Sequence, residues 1–188
     1  MKKRCMWAEH ESMIEYHDEE WGVPVHDDKR HFEMITLEGA QSGLSWSTIL
    51  KRRHGYRIAF KNFDPLKVSR MTQDDVDKLL NYTGIIRHRG KIESTINNAK
   101  CILEVQKEFG SFDNYIWCFV EGRTIQNRFK SLKELPASTP LSGQIASELK
   151  KKGFKFVGET TVYAYMQAVG LVNDHEINCF RYKSLYKK

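Results

Sequence analysis

Apolar residues in this chain recur at intervals of three and four, and that spacing restricts the fold more than any other feature. Ile92, Ile96, Ala99 and Leu103 follow at steps of four, three and four, which sets them on one face of a helix that Gly110 closes. Val76, Leu79 and Leu80 share a face behind Thr72-Gln73-Asp74-Asp75, which has the hydroxyl and carboxylate of a capped helix start. That helix is expected to stop near Gly84. Phe32, Ile35 and Leu37 begin a short helical segment after Asp27-Asp28. Ile145 and Leu149 mark a helix ending in Lys150-Lys151-Lys152-Gly153, and Val162, Met166 and Val169 mark the next. Only four prolines stand in 188 residues, so little interrupts these helices and the chain reads as mostly helical. The stretch from Glu121 to Thr139 has no periodicity and reads as irregular. No repeat, low-complexity tract or linker divides the chain.

Two glycine-bounded turns join helices into hairpins, Gly84-Ile85-Ile86-Arg87-His88-Arg89-Gly90-Lys91 and Gly153-Phe154-Lys155-Phe156-Val157-Gly158. A turn entering a helix points backbone N–H groups outward, where the helix dipole also favours an anion. In the second turn, Gly153 suits a positive φ at a helix end, Phe154 and Val157 can anchor the loop, and Gly158 permits close backbone approach. Thr160 and Thr161 add hydroxyl donors, and Lys150, Lys151, Lys152 and Lys155 add positive charge. The formal net charge of +6 accords with a polyanionic partner. An ordinary solvated basic helix end explains the segment alone equally well. No run approaches the roughly 20 apolar residues needed to span a bilayer. No apolar run follows the basic Met1-Lys2-Lys3-Arg4-Cys5, so it does not read as a signal peptide. Both points favour a cytoplasmic protein away from membranes.

Four cysteines, Cys5, Cys101, Cys118 and Cys179, lie too far apart for a compact zinc knuckle, so any metal site must join distant segments. A reducing compartment leaves them unpaired. His175 and Cys179 share a face if their segment is helical, and Cys5 with His17 is the comparable pair near the N-terminus. Two cysteines and two histidines suit tetrahedral zinc, although this spacing alone does not specify it. Cys101 and Cys118 read as buried core thiols. His10, His26, His31, His54 and His88 read as surface or structural.

The order of these parts, with the second turn followed by Val172-Asn173-Asp174-His175, resembles the helix-hairpin-helix DNA glycosylases. The strings Tyr16-His17-Asp18, Glu20-Trp21-Gly22-Val23-Pro24, Leu37-Glu38-Gly39, Gly43-Leu44-Ser45-Trp46, the whole first turn and Phe154-Lys155-Phe156-Val157-Gly158 resemble the DNA-3-methyladenine glycosylase I family, over roughly residues 4 to 180. The resemblance implies an all-α helix-hairpin-helix glycosylase fold, with residues 1–188 forming a single bilobed domain. Its hairpin element would span about 145–170, and its termini, about 1–20 and 172–188, would be joined by zinc on Cys5, His17, His175 and Cys179. With four protein ligands such a site is closed and structural, which removes His175 from the catalytic candidates.

The implied activity is hydrolysis of the N-glycosidic bond of 3-methyladenine in double-stranded alkylated DNA by a monomeric enzyme, with the base flipped into a pocket. Glu38 would be the catalytic residue, reading the base edge with some electrostatic help. Trp46 would stack on the base, Tyr16 would make a second polar contact, and Trp21 would form wall. Met13 stands where the family often carries an aromatic residue, and can still pack on a base face. Gly39, Ser42 and Gly43 would let DNA approach, while Gln41 and Leu44 would fill the gap left by the base. Gly153, Lys155, Gly158, Thr160 and Thr161 would hold the backbone. Asn173 stands where many relatives carry a cation-stabilising aspartate, and Thr160 where lyase-competent ones carry lysine. Both substitutions fit a monofunctional enzyme acting on a base that is already cationic. The rival readings are a zinc-bearing module that binds damage without cleaving it, and a glycosylase or lyase for oxidised bases.

Overall fold

The computed structural model describes residues 2–8 and 11–185. Its helices are α1 (Glu11–Glu19), α2 (Asp28–Gln41), α3 (Trp46–Leu50), α4 (Arg53–Ala59), α5 (Pro65–Val68), α6 (Gln73–Leu80), α7 (Arg89–Phe109), α8 (Phe112–Trp117), α9 (Pro140–Lys151), α10 (Glu159–Ala168) and α11 (Phe180–Ser184). The architecture is mostly helical. One short pairing departs from it: β1 (Ile125–Gln126) runs parallel to β2 (Val172–Asn173). β1 falls inside the stretch that read as irregular, and two residues are too few to show alternation.

Helix α2 is the axis of the fold, with every residue from His31 to Ala40 buried and α3, α7, α8 and α10 packed against it. Both of its ends are held by side chains. Asp27 caps it by accepting from the Arg30 N–H at 2.8 Å. Asp28 accepts from Gln106 Nε2 and the N–H groups of Phe112 and Asp113, fastening α2 to α7 and α8. At the other end, Lys91 Nζ donates to the carbonyls of Ala40 and Ser42, each at 2.8 Å. The first glycine-bounded turn therefore delivers a lysine to the C-terminus of α2.

The predicted capping box at Thr72 and Asp75 is present, but α6 ends at Leu80 with Asn81 as its cap, short of Gly84. Gly84 instead lies against Gly55, where an added Cβ would stand 2.1 Å from the Gly84 carbonyl oxygen. Helix α7 buries Ile92, Ile96 and Ala99 and ends at Gly110, φ 82°. Ile102 and Val105 continue its inner face, and Leu103 is only half-buried. Cys101 is also half-buried and Cys118 is exposed, so neither is the core thiol that was expected. His31 is buried between the Tyr165 hydroxyl and Asp113. His26, His54 and His88 are exposed, His88 capping α7 through Nδ1. His10 lies outside the described residues. No described helix is long and apolar enough to cross a membrane.

Helices α9 and α10 pack together around the second turn. Gly153 closes α9 at φ 87°, and Phe154 and Val157 are buried beneath the loop. Asn98 on α7 grips the loop from both sides, donating to the Lys155 carbonyl and accepting from the Lys155 N–H, both at 2.9 Å. Asn97 adds a bond to the Gly153 carbonyl. So held, Phe156 adopts φ 58°, a left-handed conformation unusual for an aromatic residue.

Candidate active site

A cavity of about 250 Å³ opens beside the C-terminal half of α2. Trp7, Trp21, Tyr16 and Trp46 give it aromatic walls, while Met13, Leu135 and Ala164 add apolar surface and Glu38, Gln41 and Gln167 are its other polar lining. The structure thus brings together Met13, Tyr16, Trp21, Glu38, Gln41 and Trp46. Tyr16 and Trp46 lie at 5.4 Å between ring centroids, and Trp7 meets Trp21 edge-on at 4.9 Å. Trp7, Leu135, Ala164 and Gln167 were not singled out in the sequence. Trp7 alone left a trace there, standing two residues after Cys5.

Glu38 is 5% exposed, and no described residue hydrogen-bonds its carboxyl group. Burial pushes it up to about 8. The carboxyl is therefore mostly neutral at pH 7 until something cationic or hydrogen-bonding arrives. Burial, then the neighbouring Glu38, also raises the Tyr16 hydroxyl, so Tyr16 keeps its proton as a donor. Trp46 Nε1 is a further buried donor, without a partner among the described residues. An aromatic-walled cavity with a buried carboxyl and buried donors suits a flat polar ligand.

Leu44 is 40% exposed on the turn after α2 and is not part of the cavity lining. Gly43 has φ 80° and open space where a side chain would be, whereas a Cβ on Gly39 would lie 3.3 Å from Phe156. Gly39 thus admits the second turn against α2, not DNA as the sequence reading had it. That contact places the turn one residue along the chain from Glu38. Gly153, Lys155, Gly158 and Thr160 are exposed there and Thr161 is half-buried. Gly158 precedes α10 as its N-cap residue, and Glu159 adds a carboxylate at the same helix start.

Beside the cavity the two ends of the chain meet. Cys5, His17, His175 and Cys179 are all buried, with their ligand atoms within 4.8 Å of one another. Cys5 Sγ lies 3.5 Å from His175 Nδ1, and Cys179 Sγ lies 3.4 Å from His17 Nε2 and 3.6 Å from His175 Nδ1. Tetrahedral zinc with thiolate and imidazole ligands spaces its donors by about 3.5 Å, so the donor set fits a metal ion of that kind. Hydrogen bonds from Cys5, then from His17 and His175, hold the Cys179 thiol far below the usual cysteine range. The backbone N–H groups of Glu176 and Arg181 donate to the two sulfurs. The outer nitrogens of the histidines are also fixed, His17 Nδ1 by Asp18 and His175 Nε2 by the Trp21 carbonyl, an arrangement that orients imidazole ligands. Trp21 and His175 pack at 4.6 Å, so the cluster and the pocket wall share residues.

Asn173 sits in β2, donating to Gln126 and to the Tyr182 carbonyl. It is not part of the cavity lining.

The fold is helical, with one buried acid in an aromatic-walled cavity and a basic hairpin alongside. Residues 7–182 match the family model for methyladenine glycosylase, and the chain belongs to that family, whose members are hydrolases of the glycosylase class. It is 48% identical over 181 residues to DNA-3-methyladenine glycosylase 1 of Escherichia coli (strain K12), covering 96% of this chain and 97% of that protein. A crystal structure of a 3-methyladenine DNA glycosylase I superposes with a TM-score of 0.92 at 50% identity, over 95% of this chain and 98% of the other. A variant of such an enzyme, solved in complex with 3-methyladenine, superposes with a TM-score of 0.92 at 33% identity, over 96% and 97% of the two chains.

Proposed function

We propose that this protein is a monofunctional repair glycosylase that hydrolyses the N-glycosidic bond of 3-methyladenine in double-stranded alkylated DNA. The observation that carries this reading is Glu38, a buried carboxyl group without a partner among the described residues, in an aromatic-walled cavity. A base methylated at N3 in DNA is cationic. Entering the cavity it favours the ionised form of Glu38, which then accepts hydrogen bonds from the base edge and offsets its charge. Trp46 and Met13 hold the faces of the ring, Tyr16 donates to it, and Trp21 walls the site. The base departs neutral, so a neutral Asn173 and the lack of a lysine at Thr160 are no handicap, and no lyase step follows.

In this reading α9, the turn and α10 form the helix-hairpin-helix element of a single bilobed domain. Gly153, Lys155, Gly158, Thr160 and Thr161 hold the DNA backbone, its anionic phosphates meeting the N–H groups at the start of α10 and the Lys155 side chain. Leu44 and Gln41 fill the stack after extrusion. Cys5, His17, His175 and Cys179 hold a structural zinc that supplies cross-linking of the termini and no chemistry. The enzyme works as a cytoplasmic monomer.

The reading is tested by incubating the protein with methylated duplex DNA and separating the freed bases by chromatography. Release of 3-methyladenine without strand scission is the expected result. No released base from folded, metal-loaded protein would leave a damage-binding module as the better account, and strand cleavage at oxidised pyrimidines would favour a lyase.

A further inference from the structure

Helix α10 offers the cavity two side chains one turn apart, Ala164 and Gln167, and only Gln167 is polar. Its amide cannot turn over. Nε2 donates to Asp174 Oδ2 at 2.7 Å, and an acceptor-only carboxylate admits the nitrogen end of the amide and not the oxygen end. Asp174 is fixed in turn. It is 4% exposed and also accepts from the Tyr163 hydroxyl and from Asn127 Nδ2, both at 2.6 Å. Burial, together with the bond to Asp174, pushes the Tyr163 hydroxyl up, so it stays a donor. The backbone of Gln167 is held as well, its carbonyl accepting from the Gly22 N–H at 2.9 Å. What remains is Oε1, to which no described residue donates. An amide whose nitrogen already donates to a carboxylate is polarised, and its oxygen is a better acceptor for that reason.

We propose that Gln167 is a specificity-determining residue of the pocket, accepting a hydrogen bond from an N–H group of a cationic methylated purine, with Asp174 as its positioning residue. The proposal rests on the glycosylase reading above. A methylated adenine carries an exocyclic amino group that can meet Oε1. A methylated guanine carries a carbonyl oxygen at that ring position, which sets acceptor against acceptor and leaves both unpaired. A site built to hydrogen-bond one substrate group rejects an analogue lacking it much more strongly than an apolar wall does. Asp174 also brings a carboxylate within one amide of the cavity, although the neighbouring Asn173 is neutral and turned elsewhere.

The test measures single-turnover release of 3-methyladenine and of 3-methylguanine from methylated duplex DNA by wild-type protein, Gln167→Met and Asp174→Asn. Gln167→Met is expected to slow release of 3-methyladenine about 10- to 100-fold while slowing 3-methylguanine no more than roughly twofold, so the preference collapses. Asp174→Asn, which no longer dictates which end of the amide faces it, shifts the ratio in the same direction by less. A purely structural role would slow both bases alike, and an unchanged ratio in folded Gln167→Met overturns the assignment. Wild-type protein that releases neither base overturns the glycosylase reading itself. Should Gln167→Met fail to fold, the side-chain amide resonances of Gln167 in wild-type protein provide the readout. They shift on titration with free 3-methyladenine if Gln167 touches the base, and stay fixed at saturation if the proposal is wrong.

Discussion

Two glutamates five residues apart on α2 are equally buried and behave in opposite ways. Glu33 is 4% exposed and Glu38 is 5% exposed. Glu33 accepts from Arg30, Arg53 and Arg57, and Glu20 shares Arg30 and Arg53 with it. Burial alone would raise Glu33, but the hydrogen bonds from Arg53 and Arg57 outweigh it and hold the group at about 2. Glu38 has burial and no arginine, and stands at about 8. One end of the helix is thus sealed by a satisfied ion network, while the other keeps a carboxyl unspent. Pairs of acids driven apart by their surroundings mark a division of labour: Glu33 fastens α2 to α4, and Glu38 faces the cavity.

The sharpest way to separate the two ends is a strong chelator, which should strip the zinc proposed for the terminal cluster. Trp7 and Trp21 should then lose their anchor there, and base release should be lost. Far-ultraviolet circular dichroism should meanwhile keep most of the helical signal, because α2 packs on α7 and α10, and α10 on α9, through helices that carry none of the four cluster residues. Complete unfolding on chelation would show that the metal holds both ends alike. Glu33→Ala should instead weaken the whole molecule, by about 3 kcal/mol, because it strands arginines that are partly buried. Melting should fall by about 6–12 °C for a chain of this size, with base release per folded molecule retained. Glu38→Gln should do the reverse, raising the melting temperature at pH 7 while slowing single-turnover release about 100-fold.

The pH dependence should also divide. Glu33 loses its proton more readily when folded, so its contribution is in place above its ordinary 4.5 and is lost as pH falls through 2. Glu38 holds its proton more tightly when folded, so its ionisation erodes stability as pH rises from 4.5 through 8. Chemical denaturation of wild-type protein and Glu38→Gln should therefore diverge toward pH 8, the variant becoming the more stable. Parallel curves would mean Glu38 is solvated. The smallest effect belongs to Lys91→Met, which leaves the Ala40 and Ser42 carbonyls uncapped at a cost of about 1 kcal/mol. It should loosen the Glu38 end alone, seen as faster amide exchange there and not near Glu33.

Which of these features the sequence discloses follows from their range along the chain. The capping box at Thr72, the inner face of α7 and the positive-φ Gly153 are local, and each was legible in a few residues. The β1–β2 pairing was not, because it joins two dipeptides across the chain with no alternation in either. Gly39 looked like a concession to a ligand, yet it makes room for Phe156, a contact between segments far apart in sequence. Glu33 and Glu38 look alike in the string, since nothing nearby says which one the arginines of α4 will reach. Glu38 stood out through resemblance to a known family, and its lack of partners emerged only in three dimensions. Gln167 carried no signal because the orientation of its amide depends on Asp174, seven residues on.

The carboxyl carbon of Glu38 can be followed directly by NMR through a pH titration of the protein without added base, with Glu38→Gln identifying the resonance. A midpoint near 8, with Glu33 fully ionised throughout the same range, is the predicted result. A Glu38 midpoint at its ordinary 4.5 would contradict the account, since the carboxyl would then be solvated or paired and no longer reserved for a base.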